Sequence, residues 1–360
     1  MKSLSLTMIV KNEEKYLSRC LDSVKGIVDE IIVVDTGSSD HTKEIAKSFG
    51  ARIYDFAWVN DFSAARNFAI EKSYGDWNLI LDADEYIIND CRNAVRNFME
   101  SGLAIGVIQR SNGFIRDGEL QYSKSYLSRL APKGILYEGK IHEQLSGDLP
   151  RIPIGMEVCH DGYLESGKAE RNLGILLLEM EKEPENPYLL FQIANTLFVS
   201  NQNTEAQKYF EKFYRYAPVH VNYRYTGVVS YLYNIIALKK FEEGLGIIEN
   251  EEGRLVDLPD FHFVCGVFYM ELVLSDVKRY IQYLPFIEQE YLACLRIGET
   301  GIYDSVIGTG SFRAAYNLGA FYEVSGSIKK AMEYYEMASK LDYGKAKSRL
   351  AELTRSGRRT

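Results

Sequence analysis

The sequence predicts two parts of different fold class: an α/β domain on a mixed, mostly parallel sheet over residues 1–168, and an all-α helical-repeat array over residues 169–360. Three observations lead there. Up to about residue 130, short β-branched apolar runs alternate with helical patterns. From about Arg171, helical periodicity rich in tyrosine replaces them. A chain of 360 residues also exceeds one core, since domains average roughly 100–200 residues.

The α/β elements follow in order. Leu4 to Val10, Ile31 to Val34 and Leu79 to Leu81 are apolar runs too short for a helix of average length, and read as strands. Between the first two, Glu14 to Lys25 places Leu17, Leu21 and Val24 on one face of a helix. Asp40 is the expected N-cap of a second helix, Thr42 to Phe49, closed by Gly50. Strand, helix, strand, helix implies right-handed crossovers and a sheet covered on both faces.

In the second half, Pro187 to Pro218 fits the helix-turn-helix repeat of about 34 residues, with Ile193, Ala194, Leu197, Ala206 and Phe210 at its packing positions. Phe312 to Lys345 fits it through Leu318, Gly319, Tyr322, Gly326, Ala331 and Ala338. Asn222 to Asn250 and Phe261 to Ile297 are degenerate copies. An α-solenoid from about 170 to 350 follows. No low-complexity linker separates it from the first domain, so the two parts are expected to dock.

Composition narrows the function. Net charge is −8 with acids and bases interspersed, which excludes a nucleic-acid footprint. Only Arg355 to Thr360 is locally basic, and it reads as a solvated end. Five cysteines are scattered without a Cys-x-x-Cys pair, as expected of reduced thiols in a cytoplasmic protein. The amino end carries neither a signal-cleavage pattern nor a run long enough to span a membrane. Neither G-x-G-x-x-G nor G-x-x-x-x-G-K-[ST] follows the first strand, which runs into Lys11-Asn12-Glu13-Glu14. That disfavours a dinucleotide dehydrogenase and a P-loop NTPase.

Four clusters carry chemistry. The strand Leu79 to Leu81 ends in Asp82-Ala83-Asp84-Glu85, whose clustered acids repel unless a hard divalent cation lies between them. Asp35 ends the second strand before the turn Thr36 to Asp40, and Asn12 follows the first. Ligands of open α/β sheets bind outside the carboxyl ends of strands, so Asn12, Asp35, Asp82 and Asp84 should share one crevice. Asn60 to Ala69 is a helix capped by Asp61; its Arg66 is either a solvated side chain or a partner for phosphate oxygens. The last cluster is Gly139-Lys-Ile-His142-Glu143-Gln144, followed by Val158-Cys-His160-Asp-Gly-Tyr163. Two of the chain's five histidines lie here beside a carboxylate, which fits an active site as well as a structural role.

Together, Val10-Lys-Asn-Glu-Glu14, Val34-Asp-Thr-Gly-Ser-Ser-Asp40, Asn60-Asp-Phe-Ser-Ala-Ala-Arg-Asn67 and Asp82-Ala-Asp84 resemble the family 2 glycosyltransferases of the GT-A fold, in the family's order. Gly139 to Glu143, His160 to Tyr163 and the run from Arg171-Asn172 to Pro187 resemble its branch with a helical-repeat carboxyl half, the sublancin-type peptide S-glycosyltransferases. The resemblance implies an inverting hexosyl transfer from a nucleotide-sugar such as UDP-glucose. It implies a nucleoside pocket lined by Val10, Asn12 and Asp35, with Arg66 near the phosphates and Asp82 facing ribose or metal. Asp84 would ligate Mn²⁺ or Mg²⁺, and His160 would join the metal shell or shape the acceptor site. The catalytic base would be Glu143 or His142.

The expected acceptor is a peptide or protein side chain (Cys, Ser or Thr), for which a long concave repeat surface is suited. Two rival readings are transfer to a cell-envelope saccharide or lipid-linked acceptor, and a non-catalytic repeat scaffold. The repeats could instead form a homodimer contact.

Overall fold

The computed structural model describes residues 1–116, 119–161, 168–301 and 303–357. Gly162 and Tyr163 of the second histidine cluster, and Arg358 to Thr360 of the basic tail, lie outside the described residues. The chain divides into two compact units, Met1–Ile175 and Leu176–Thr360.

In the first unit, β1 (Leu4–Val10), β2 (Glu30–Asp35), β3 (Arg52–Asp55) and β4 (Trp77–Ile80) pair in the order β3-β2-β1-β4, all parallel. The sheet continues through β7 (Glu119–Pro132), β6 (Ile105–Arg116), β10 (Arg151–His160) and β5 (Glu85–Ile87). There the β4–β7, β7–β6 and β10–β5 pairings are antiparallel, and β6–β10 is parallel. The sheet is thus mixed and mostly parallel. A separate ribbon joins β8 (Tyr137–Glu138) to β9 (Gln144–Leu145).

Period-2 alternation explains the layering. Leu4, Leu6, Met8 and Val10 of β1 face a core with Leu17 and Leu21 of α1 (Leu17–Ser23), Val24, Ala46 of α2 (Thr42–Ser48), and Val95 and Met99 of α4 (Arg92–Glu100). On the opposite face, Ile32 and Val34 of β2 meet Ala69 of α3 (Phe62–Lys72), with Ile9 and Phe68 packed beside them. Each fully buried leucine stabilises this arrangement by about 1.5–3 kcal/mol. The first helix begins at Leu17, three residues later than its apolar pattern suggests: residues 14–16 form a turn, with Glu13 N and Glu14 N donating to Thr42 Oγ1 and Asp40 Oδ2 and Tyr16 N to Glu13 O. His41, not Asp40, is the N-cap of α2; Asp40 accepts from Thr42 N at 3.0 Å and supports the first turn from one position upstream.

In the second unit, helix pairs follow one another. These are α6 (Pro187–Val199) with α7 (Asn203–Tyr216), α8 (Arg224–Leu238) with α9 (Phe241–Glu251), and α13 (Phe312–Val324) with α14 (Ile328–Lys340). Between the second and third pairs, α10 (Pro259–Ser275) packs on α12 (Leu284–Ile297), with the short α11 (Val277–Tyr280) connecting them. The division between units falls within α5 (Lys168–Met180), and α15 (Gly344–Gly357) closes the array. Asn186 caps α6 by accepting from Tyr188 and Leu189 N, and Pro187 takes the first helical position, where its missing N–H costs nothing. Gly319 lets α13 approach α14: a Cβ there would lie 2.8 Å from the Tyr335 ring. No described helix is long and apolar enough to cross a membrane.

Candidate active site

The carboxyl ends of β1, β2 and β4 lie side by side, with Val10 in register with Asp35. Asp35 ends β2 with its carboxylate buried. Its Oδ1 accepts from Gly37 N and Ser38 N, both at 2.9 Å, and Lys43 Nζ stands 3.6 Å away. Burial would raise the Asp35 pKa, but the bonds from Ser38 and Gly37 and the charge on Lys43 outweigh it and hold the carboxyl below its ordinary value. Oδ2 is buried and has no protein hydrogen-bond partner. Such an acceptor, fixed as a carboxylate at a strand end, is suited to a ligand donor. The turn that fixes Oδ1 needs Gly37, whose φ is +106°. The carbonyl of Val10 is engaged by Thr36 N and Oγ1, at 2.9 and 3.0 Å. Asn12 adopts φ +56°, a conformation asparagine tolerates, and its Oδ1 accepts from Ser39 N at 2.8 Å.

Arg66 is buried, and so is no solvated helix residue. Asp61 caps its helix by accepting from Ala64 N, and Asn67 ties that helix to the β8 backbone. Asn67 Nδ2 donates to Tyr137 O at 3.0 Å, and Tyr137 N donates to Asn67 Oδ1 at 2.7 Å. With the helix so anchored, Arg66 donates from Nη2 to Asp82 Oδ1 at 2.7 Å and from Nε to Glu143 Oε1 at 2.5 Å. Its Nη1 is buried without a hydrogen-bond partner. Burial opposes the charge on Asp82, yet Arg66 and Arg129 together hold that carboxyl well below the usual range. Sequence reasoning singled out Arg66, Asp82 and Glu143, and the fold brings all three together.

The loop carrying the expected base runs between β8 and β9. Phe62 N donates to Lys140 O at 2.8 Å, and Ser63 Oγ donates to Gly139 O, so the amino end of α3 holds this loop. His142 is half-buried and adopts φ +52°, an uncommon conformation for a bulky residue and one often found where function imposes it. Burial lowers its pKa against the pull of Glu143, which favours the uncharged ring. Glu143 Oε1 is held by Arg66.

Asp84 and His160 form the second group. Asp84 is buried, and its Oδ2 lies 3.3 Å from Nε2 of His160, the last residue of β10. Asp161 N donates to Asp84 O at 3.1 Å, which fixes the loop between β4 and β5. A carboxylate and an imidazole at this separation fit a divalent ion such as Mn²⁺, whose remaining ligands would be water and phosphate oxygens. Asp82, two residues before Asp84 on the same loop, has one oxygen on Arg66 and the other on Arg129, at 2.8 Å. Among the described residues, no three His, Cys, Asp or Glu side chains cluster as a complete metal site.

Arg110 and Arg129 of the charged cluster carry no signal in the motifs, and Glu85, which closes the acidic run after β4, was given no separate role there. Glu85, fully buried, accepts from Arg110 Nη1 at 2.9 Å and Arg129 Nη2 at 3.2 Å, and its Oε2 accepts from Asp82 N at 3.0 Å. The one available hint is an arginine set beside an apolar run, Arg129-Leu130-Ala131 in β7.

Residues 5–148 match the model of glycosyl transferase family 2. A TPR repeat-containing protein of Synechococcus elongatus is 34% identical over 234 residues, covering 59% of this chain and 56% of that protein. The SPbeta prophage-derived glycosyltransferase SunS of Bacillus subtilis is 30% identical over 223 residues, covering 58% and 53%. Among solved structures, MamA from residue 41 to its end, from Desulfovibrio magneticus RS-1, is 15% identical over 50% of this chain and 88% of that one, with a TM-score of 0.40. The chain spans about half the length of the curated relatives it matches.

Proposed function

From a chain that carries a family 2 glycosyl transferase domain, we propose a metal-dependent inverting glycosyltransferase that moves a sugar from a nucleotide-sugar, a UDP-sugar in our reading, to a peptide or protein side chain. The observation that carries this is the Asp84–His160 pair, which stands with Asp35 at the carboxyl ends of the sheet. Two strand spacings of about 4.8 Å separate the strand of Asp35 from that of Asp82, a span that suits a nucleoside at one end and a diphosphate at the other. Asp35 offers its unpartnered Oδ2 to the nucleoside, and Asn12 shapes the neighbouring turn. Asp84 and His160 would hold Mn²⁺ or Mg²⁺, which when bound supplies a Lewis acid for the departing diphosphate.

The acceptor nucleophile attacks the anomeric carbon from the side opposite the diphosphate and inverts it in one displacement. Glu143 takes its proton, with Oε1 fixed by Arg66 so that the carboxylate is aligned before reaction. Likeness to the peptide S-glycosyltransferase branch and the repeat array of the second unit support a polypeptide acceptor.

A thermal-shift panel of nucleotide sugars, with and without Mn²⁺, tests the donor. Ligand at about 100 times its Kd stabilises a protein by about 2.7 kcal/mol, so one nucleotide sugar should raise Tm by several degrees only when Mn²⁺ is present. The Asp84→Ala variant should lose that response. An equal shift without metal, or none across the panel, contradicts the proposal.

A further inference from the structure

We propose that Arg129 is a positioning residue of the transfer site: by satisfying Asp82, it frees Arg66 to hold Glu143. This rests on the reading of Glu143 as the base. Arg129 lies buried on β7. Its Nη2 spans Asp82 Oδ2 at 2.8 Å and Glu85 Oε1 at 3.2 Å. Arg110 takes the same Glu85 oxygen at 2.9 Å, and Glu85 Oε2 holds the backbone N–H of Asp82. The cluster therefore contains three acids (Asp82, Glu85, Glu143) and three arginines (Arg66, Arg110, Arg129), balanced in charge.

The division of Arg66 between two carboxylates needs an explanation. A guanidinium and a carboxylate favour a two-pronged pairing, and Arg66 has the spare nitrogen for one, because Nη1 has no hydrogen-bond partner. It nevertheless gives Asp82 only Nη2 and reaches with Nε to Glu143. Arg129 occupies Asp82 Oδ2, which removes the second prong from competition. Without Arg129, Asp82 would present both oxygens to Arg66, draw its guanidinium into a bidentate pair and release Glu143. A buried ion network of this size stabilises no better than well-packed apolar side chains would, so its value lies in geometry. Glu85 and Arg110 fix Arg129 and the Asp82 backbone in turn.

The test measures hydrolysis of UDP-glucose with Mn²⁺ by the full chain and its variants. Arg129→Met should lower kcat roughly 10–100-fold while the donor KM stays within about threefold, since Asn12, Asp35, Asp84 and His160 are left unchanged. Arg129→Lys keeps the charge and one hydrogen bond, so it should recover part of kcat. In a Glu143→Gln background, Arg129→Met should cost little more, because both changes act through one carboxylate. Additive losses in the double variant, or a KM effect with kcat unchanged, overturn the proposal. Should Arg129→Met fail to fold, the Lys variant decides by the same kcat-against-KM split and the same double-variant comparison. If the wild-type chain hydrolyses no donor, the underlying functional reading has failed instead, and the two failures are distinct.

Discussion

Glu143 and His142 are adjacent in sequence but differently prepared for proton transfer. Glu143 is fixed on Arg66 Nε at 2.5 Å, whereas burial lowers the His142 pKa. Glu143→Gln preserves shape and removes basicity, so kcat should fall roughly 10²–10⁴-fold with donor affinity little changed, as steady-state kinetics on Mn²⁺-loaded protein would record. If donor binding collapses while turnover of bound donor survives, His142 takes the role of base. The positions of these polar groups were legible where each follows a strand or sits on a capped helix: Asn12 after β1, Asp35 at the end of β2, Asp82 and Asp84 after β4, and Arg66 on α3. The pairing of Arg110 and Arg129 with Glu85 and Asp82 was not, because these partners lie 25 to 47 residues apart. Local periodicity cannot report which distant strand a side chain will meet.

At the scale of elements, the pairs α6–α7 and α13–α14 were plain from the repeat offsets and the middle helices less so, and Gly319 shows why: only a residue without Cβ admits the Tyr335 ring so closely. The parallel strands β1, β2 and β4 were equally plain from their apolar runs. Less legible was the long β6–β7 hairpin that makes the sheet mixed, since alternation within a strand does not name its neighbour. Asp260, in the first turn of α10, was not legible either. Its Oδ1 accepts from Val306 N at 2.9 Å, and its Oδ2 is buried without a hydrogen-bond partner. Burial pushes its pKa up from 3.8 to about 7, against the bonds from Val306 and Thr309. The folded state thus binds this proton more tightly than the unfolded chain. Its stabilising contribution is complete below the unfolded value of 3.8 and is lost as pH rises through about 7. Asp260→Asn removes the charge, so its Tm relative to wild type should improve from pH 5 to pH 8, by at most a few kcal/mol in stability. A difference that does not change with pH would show that Asp260 carries no such burden.

Across the whole molecule, the interspersed charges, the sheet whose strand ends gather acids, and the match of residues 5–148 to the glycosyl transferase family 2 model agree on one chemistry. The order of motifs along the first half made that chemistry readable, because each lies at the end of a strand or the start of a helix and needs no long-range pairing to be seen. The acceptor was less readable: a repeat array advertises a surface, and its helix periodicity is spent on its own core. The most direct test of the account is nucleotide-sugar turnover by the purified chain, measured as UDP release from UDP-glucose and related donors with Mn²⁺, with excess EDTA, and in the Asp84→Asn variant. The account predicts turnover with Mn²⁺, its loss in EDTA, its return on adding Mn²⁺ back, and a drop of about 10²-fold or more in Asp84→Asn; undiminished turnover in EDTA, or in Asp84→Asn, would contradict it.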